Sequence, residues 1–200
     1  MLLVNEIFHS IQGEGQHAGV GMTFVRFSGC DMNCSFCDTD HQKGVKMQQG
    51  EIMEAVKDSV SVCLTGGEPM IQQGVGLLIG ELLAAGKKVH IETNGRHPIP
   101  HAIDCWIACS PKLWEGEAID QLPGLKIANE VKIISNQINI YTDKGKPRWE
   151  SHVITQIYYI QVLFLKNKID RDELVRSLYF IKAHPEWRVN MQMHKLIGVK

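Results

Sequence analysis

Apolar runs rich in branched residues alternate along the chain with runs of helical period. "MTFVRFSG" (22–29), "GEIMEAVKDS" (50–59), "VSVCLTGG" (60–67) and "VGLLIGELLAAG" (75–86) read as strand, helix, strand, helix. Further strands are predicted in "KKVHIETNG" (87–95), "AIDCWIACS" (102–110), "NEVKIIS" (129–135) and "HVITQIYYIQVLF" (152–164). Several of these runs are apolar almost throughout, the pattern of parallel strands covered on both faces. Over 168–185, Leu174, Leu178 and Ile181 fall at helical spacing and Pro185 follows the end, predicting a late helix. The stretch "YTDKGKPRWE" (141–150) has the turn chemistry of a loop. The expected fold class is α/β with a mostly parallel sheet. Active groups on such a sheet gather beyond the carboxyl ends of its strands, and the unusual motifs of this chain follow predicted strands.

Composition changes that picture little. The 200 residues suffice for one well-filled core, and 44% hydrophobic with 22% charged residues is ordinary for a globular chain. A formal charge of −1 leaves no basic field for a phosphate backbone, so no direct nucleic-acid partner is expected and a small molecule fits better. No apolar run approaches the roughly 20 residues of a membrane span, and "MLLVNEIF" has neither the basic start nor the apolar length of a signal peptide. No membrane partner and a cytoplasmic location are therefore expected. Cysteines stay reduced there, so clustered thiols bind metal or do chemistry rather than form disulfides.

Three of the six cysteines, Cys30, Cys34 and Cys37, lie in the CxxxCxxC of "FSGCDMNCSFCDTD" (27–40). A structural zinc site takes four ligands, and a ferredoxin-type cluster takes four cysteines. Asp38 or His41 nearby, or the distant Cys63, Cys105 and Cys109, could complete a zinc site. Alternatively the three thiolates anchor three irons of a [4Fe–4S] cluster and leave the fourth iron open to a ligand bearing an amine and a carboxylate. S-adenosylmethionine (SAM) offers both groups, and its reductive cleavage belongs to cofactor-borne radical chemistry.

A second motif favours the open cluster. "LTGGEP" (64–69) leaves a predicted strand with Gly66 and Gly67, which let backbone approach a ligand, and Glu68, which can accept from an ammonium group. Alone, the run reads equally as a tight turn. Together, the three-cysteine loop with Phe36 before its last cysteine and a GGEP one βα unit later resemble the radical SAM superfamily.

Within it, "EIFHSIQGEGQHAG" (6–19), "VRFSGC", "CDTD", "TGGEP", "ETNG", "SPK" and "QMHKLIG" resemble the 7-carboxy-7-deazaguanine synthase family, also called QueE, from residue 6 to residue 198. The resemblance implies a single-domain partial (β/α) barrel over 1–200 and a lyase of queuosine-type 7-deazapurine biosynthesis. Its substrate would be 6-carboxy-5,6,7,8-tetrahydropterin, contracted to 7-carboxy-7-deazaguanine with loss of ammonia after hydrogen abstraction at carbon 6, SAM being regenerated. It further implies Mg²⁺ on Thr39, a flavodoxin or ferredoxin reductant, and a homodimer.

Residue by residue, the resemblance places SAM against Phe36, Cys37, Asp38, Gly67, Glu68, Ser110, Pro111, Lys112 and Gln161, and substrate against Ile11, Gln12, Gly13, Glu14, Arg26, Thr65, His194 and the terminal carboxylate of Lys200. Several of these assignments also suit the residues themselves. Gln12 and Glu14 lie between glycines and match the donor and acceptor edge of a pterin, against the alternative of a polar turn before the first strand. Arg26 lies inside an apolar strand and needs an anion there, either a substrate carboxylate or a structural Asp or Glu. Val162 stands where many relatives carry proline after the glutamine matched by Gln161.

Cys63, Cys105 and Cys109 lie in apolar runs and are expected in the core. Apart from His194, the nine histidines are expected at the surface. Two rivals remain: a glycyl-radical activating enzyme, which would not need "SIQGEG", and a zinc module built on Cys30, Cys34, Cys37 and His41.

Overall fold

The computed structural model describes residues 1–37, 39–101, 104–112, 126–148, 154–165 and 168–200. The first elements are β1 (Leu2–Ile11), β2 (Gly21–Phe27), β3 (Val45–Met47), α1 (Gln49–Ala55), β4 (Ser61–Gly66), α2 (Val75–Ala84), β5 (Lys88–Thr93), β6 (Trp106–Cys109) and β7 (Ile127–Ile134). Then come α3 (Ile138–Tyr141), β8 (Thr142–Asp143), β9 (Lys146–Pro147), β10 (Ile154–Gln161), β11 (Phe164–Leu165), β12 (Lys168–Ile169), α4 (Arg171–Ala183), β13 (Trp187–Asn190) and α5 (Met193–Ile197).

A nine-stranded sheet carries the order β13-β10-β7-β6-β5-β4-β2-β1-β3. The pairs from β13 through to β2 are parallel, whereas β1 pairs antiparallel with both β2 and β3. This is the mostly parallel α/β sheet of an open barrel, with an antiparallel margin that the sequence pattern does not announce. β1 escapes notice because its register with β2 shifts between Val4 and Glu6, which breaks the period-two alternation of buried positions. The loop-like stretch after α3 also contains a short antiparallel pair, β8 with β9.

The two faces of the sheet differ in kind. Val25, Phe27, Val62, Leu64, Ile91, Ile107 and Val131 are buried together with Ile52 of α1 and Leu78, Ile79 and Leu82 of α2. Fully burying one such side chain stabilises the fold by roughly 1.5–3 kcal/mol. On the other face the pleat places polar groups in a row: Arg26 pairs with Thr65, Glu92 with Ala108, Ala108 with Glu130, and Lys132 with Tyr159. The apolar face offsets the cost of desolvating the polar one.

Helix α4 confirms the predicted element but not a simple apolar stripe. Glu173 and Ser177 are its buried residues, and Leu178 is 49% exposed. Phe180 and Ile181 make its contact with the core. Cys63, Cys105 and Cys109 are buried, as expected of small apolar side chains.

Candidate active site on the polar face of the sheet

Two adjoining cavities open on the polar face, of about 380 and 250 Å³. Glu14, Thr39, Thr65, Glu92 and Gln192 line both, so the two spaces share a wall.

The smaller cavity receives the cysteine loop, which leaves the carboxyl end of β2. Cys30, Cys34, Cys37 and Phe36 all line it, and all three thiols are free. A backbone hydrogen bond from Cys37 N to Cys34 O (3.0 Å) folds the loop. Burial pushes the thiols of Cys30 and Cys34 up; Asp31 adds to both, while Lys112 opposes it at Cys34. Three free thiols on one cavity wall fit the donor set of a cluster held by three irons. Among the described residues no group of three His, Cys, Asp or Glu side chains is placed to hold one metal ion. Zinc ligands converge on one point, whereas the thiolates of a cubane sit on separate irons.

The neighbouring turn explains its two glycines. A Cβ on Gly67 would lie 1.9 Å from Gly29 O and 3.0 Å from Cys30 Cβ, so only glycine lets the GGEP turn press against the cysteine loop. Gly67 N donates to Phe27 O (3.1 Å) and Glu68 N to Gly29 O (3.0 Å), locking the two loops. Glu68 itself departs from expectation. Its side chain is 0% exposed, does not line the cavity, and accepts from Thr93 Oγ1 (2.9 Å), Asn94 N (2.7 Å) and Met70 N (3.0 Å). These bonds tie the GGEP turn to the end of β5, and burial holds the carboxyl above the ordinary range.

Across the cavity, Lys112 donates to Ser110 O and Ser110 Oγ (2.9 and 2.7 Å) and stands 5.7 Å from the Phe36 ring centroid. Burial pulls its ammonium down from the usual lysine range. Ser110, Lys112 and Gln161 line the cavity. Pro111 does not: it is buried, and its carbonyl accepts from Tyr141 Oη at 2.8 Å. Gln161 Oε1 accepts from Asn190 Nδ2 (2.5 Å). Asp38 lies outside the described residues.

The larger cavity gathers Ile11, Gln12, Gly13, Glu14, Arg26, Thr65, His194 and Lys200. Its central loop enters from an unexpected direction. Because Ile11 pairs with Gly21, the first residue of β2, residues 12–20 leave from the amino end of the parallel strands and fold over the polar face. There Gln12 Nε2 donates to Glu92 Oε1 (3.0 Å), and Met193 N donates to Gly13 O (2.8 Å). A Cβ on Gly13 would fall 1.7 Å from His194 Nδ1, so a bare backbone is what lets α5 close on the loop.

Arg26 is ion-paired with Glu6 of β1, Nε to Oε1 at 2.9 Å. The structural partner foreseen for this guanidinium is thus present, while the residue also lines the cavity. Lys200 sends its ammonium to the same Glu6 and accepts at its carbonyl from Ser10 Oγ (2.5 Å).

At the wall between the cavities sits a charge cluster that the sequence reading missed. Lys132, 3% exposed, donates to Glu14 Oε2 (2.8 Å) and Glu92 Oε2 (2.6 Å), and Gln192 Nε2 donates to Glu14 Oε1 (2.9 Å). Burial disfavours every charge here. At Glu14 burial is met by Lys132, Gln192 and His194, which together hold the carboxyl low; at Glu92 burial prevails and holds it high; the carboxylates hold Lys132 well above the usual lysine value. Glu130 is raised to about 7, by burial first, against the pull of Lys132. The signal was available: "VHIET" and "NEVKII" place charges inside buried parallel strands, as Arg26 does in its own.

His90 corrects another expectation, being 7% exposed. Its ring stands edge-on to His17 (4.8 Å between centroids), which in turn meets Trp106 (4.4 Å).

Comparison with known proteins agrees with this geometry. A family model described as Radical SAM superfamily matches residues 24–107. A 7-carboxy-7-deazaguanine synthase from Bacteroides thetaiotaomicron is 38% identical, with 100% of each chain covered. One from Haemophilus influenzae is 31% identical over 98% of this chain and 92% of its own. The crystal structure of QueE from Escherichia coli superposes with a TM-score of 0.71 at 24% identity, over 96% of this chain and 94% of that one, and so shares the fold.

Proposed function

Since the chain belongs to the 7-carboxy-7-deazaguanine synthase family, we propose that it is a radical SAM lyase converting 6-carboxy-5,6,7,8-tetrahydropterin to 7-carboxy-7-deazaguanine and ammonia. The observation that carries this reading is the wall of five residues common to two cavities, one lined by the three thiols and the other by Arg26 and the Gln12–Glu14 loop. Chemistry started in the first space acts on a molecule held in the second without crossing solvent.

When bound, a [4Fe–4S] cluster on Cys30, Cys34 and Cys37 with SAM supplies the one-electron chemistry that opens the reaction. The chain's own residues bind and orient. Ser110 and Lys112 offer a hydroxyl and a cation to the polar end of SAM, Phe36 a ring face, and Gly66 and Gly67 open backbone. In the second space, Arg26 keeps guanidinium donors beyond its single bond to Glu6 and takes the substrate carboxylate. Glu14 and Glu92 accept from the ring's amino and ring N–H groups, and Gln12, His194 and the Lys200 terminus close around it. Thr39, which lines both cavities, would hold Mg²⁺ through its oxygen, the metal supplying positive charge to a carboxylate substrate. Residues 1–200 work as a single domain, as a homodimer, reduced by a flavodoxin or ferredoxin, in queuosine-type deazapurine synthesis.

The test is anaerobic incubation of the iron- and sulfide-reconstituted protein with SAM, Mg²⁺, reductant and the carboxytetrahydropterin, followed by mass detection of the deazapurine. Deoxyadenosine without deazapurine would remove the substrate assignment and leave the radical chemistry standing.

A further inference from the structure

Glu130 is a buried carboxylate that the proposed chemistry does not use. It is 2% exposed, projects from β7 two residues from Lys132, and lines neither cavity. What it touches is the substrate loop. Gln16 N donates to its Oε2 at 2.8 Å, and a Cβ on Gly15 would lie 2.0 Å from its Oε1. Gly15 is left-handed (φ +69°), a conformation glycine adopts at little cost, and its own N–H donates to Asn190 Oδ1 at 3.0 Å. The carboxylate is thus seated against a bare stretch of backbone. Gln12, Gly13 and Glu14, the residues that line the larger cavity, come immediately before this anchor in the chain.

We propose that Glu130 is a positioning residue, which holds the Gly15–Gln16 backbone by a charge-assisted bond and thereby fixes Gln12 and Glu14 for substrate. On the polar face the side chains of Glu14 and Gln12 meet Lys132 and Glu92, whereas Glu130 takes the loop by the backbone amide of Gln16. An ionised acceptor holds an amide about twice as strongly as a neutral one. The charged groups acting on Glu130 are Lys132 on its own strand, Glu92 on β5 and Glu14 on the loop. Lys132 favours its ionised form, and the two carboxylates with burial oppose it, which leaves its titration close to pH 7. Below that pH the neutral carboxyl retains a carbonyl acceptor but loses the charge. The grip on the loop therefore weakens as pH falls through neutrality.

The proposal rests on the substrate reading for its kinetic consequence but not for its structural one, and the test separates them. Amide hydrogen exchange of the segment spanning residues 12–17 is measured on the reconstituted protein without substrate, for the wild type, Glu130→Gln and Glu130→Ala. Glu130→Gln retains an acceptor of the same shape and guards against simple misfolding. Glu130→Ala is expected to raise exchange about tenfold in that segment, and Glu130→Gln to raise it far less. With the carboxytetrahydropterin, Glu130→Ala raises KM about tenfold or more while deoxyadenosine formation without substrate is unchanged. Glu130→Gln holds, from about pH 6 to pH 8, the KM that the wild type shows at about pH 6. Unchanged exchange in Glu130→Ala, or a pH dependence of KM shared by the wild type and Glu130→Gln, overturns the proposal. If the wild type forms no deazapurine, the substrate reading fails, and the exchange comparison still decides the role of Glu130.

Discussion

Lys132 donates to Glu92 at 2.6 Å from a side chain only 3% exposed. The contact ties the middle of β7 to the end of β5 across β6, and a second bond from the same ammonium reaches Glu14 on the loop between β1 and β2. Removing this cation leaves buried carboxylates without their counter-charge. Lys132→Met is expected to cost about 3–5 kcal/mol of folding stability. The loss grows as pH rises and the stranded carboxyls are forced to ionise, and denaturant melts at several pH values check this.

Arg26 donates through Nε to Glu6, which leaves the two terminal nitrogens of its planar fork for a carboxylate. Lysine at this position keeps the charge and loses the fork. Arg26→Lys should raise KM for the carboxytetrahydropterin about tenfold or more, the size of one charge-assisted bond, with a smaller change in kcat. Equal KM in the two proteins would show that the guanidinium serves only its pairing with Glu6.

Gly67 approaches Gly29 and Cys30 more closely than any Cβ permits. Gly67→Ala must move the GGEP turn or the cysteine loop. The expected outcome is a folded protein with reduced iron and sulfide per chain after reconstitution, because the displaced loop carries the first of the three thiols. Gly50, which has open space around it, serves as the control for substitution as such.

His90 has its titration pulled down to about 4, by burial first and then by His17 and Lys88. The unfolded chain binds this proton near pH 6.5 and the folded chain does not. Stability is therefore lost as pH falls from about 6.5 towards 4 and levels off below. For this partly screened group the loss is roughly 2 kcal/mol. His90→Gln should flatten that limb of the stability profile, measured by denaturant titration across the range.

β2, α1, β4, α2, β5, β6 and β7 are legible because each falls within a run of apolar or helical period, whereas the three-residue β3 has no such run. β1 is not, since a register shift between Val4 and Glu6 moves its core-facing positions from Leu2 and Val4 to Ile7. The cysteine loop and the GGEP turn were legible from spacing, but the task of Glu68 was not. An acid after two glycines reads as a ligand-facing group, and only the placement of Thr93 and Asn94 beneath it reveals a brace. Glu92, Glu130 and Lys132 are hidden for the opposite reason: each lies far along the chain from residues 12–16, and only sheet order brings Glu92 and Lys132 together beside Glu14 and sets Glu130 against Gln16.

The antiparallel margin has a further consequence. Residues 12–20 hang from β1, outside the span 24–107 that matches the superfamily model, while all three thiols and the GGEP turn fall inside it. The larger cavity is thus lined from both sides of that boundary, by Gln12, Gly13 and Glu14 outside it and by Arg26, Thr65 and Glu92 inside it. Exchanging the amino-terminal hairpin would therefore rebuild one side of that cavity and leave Arg26, Thr65 and Glu92 where they stand.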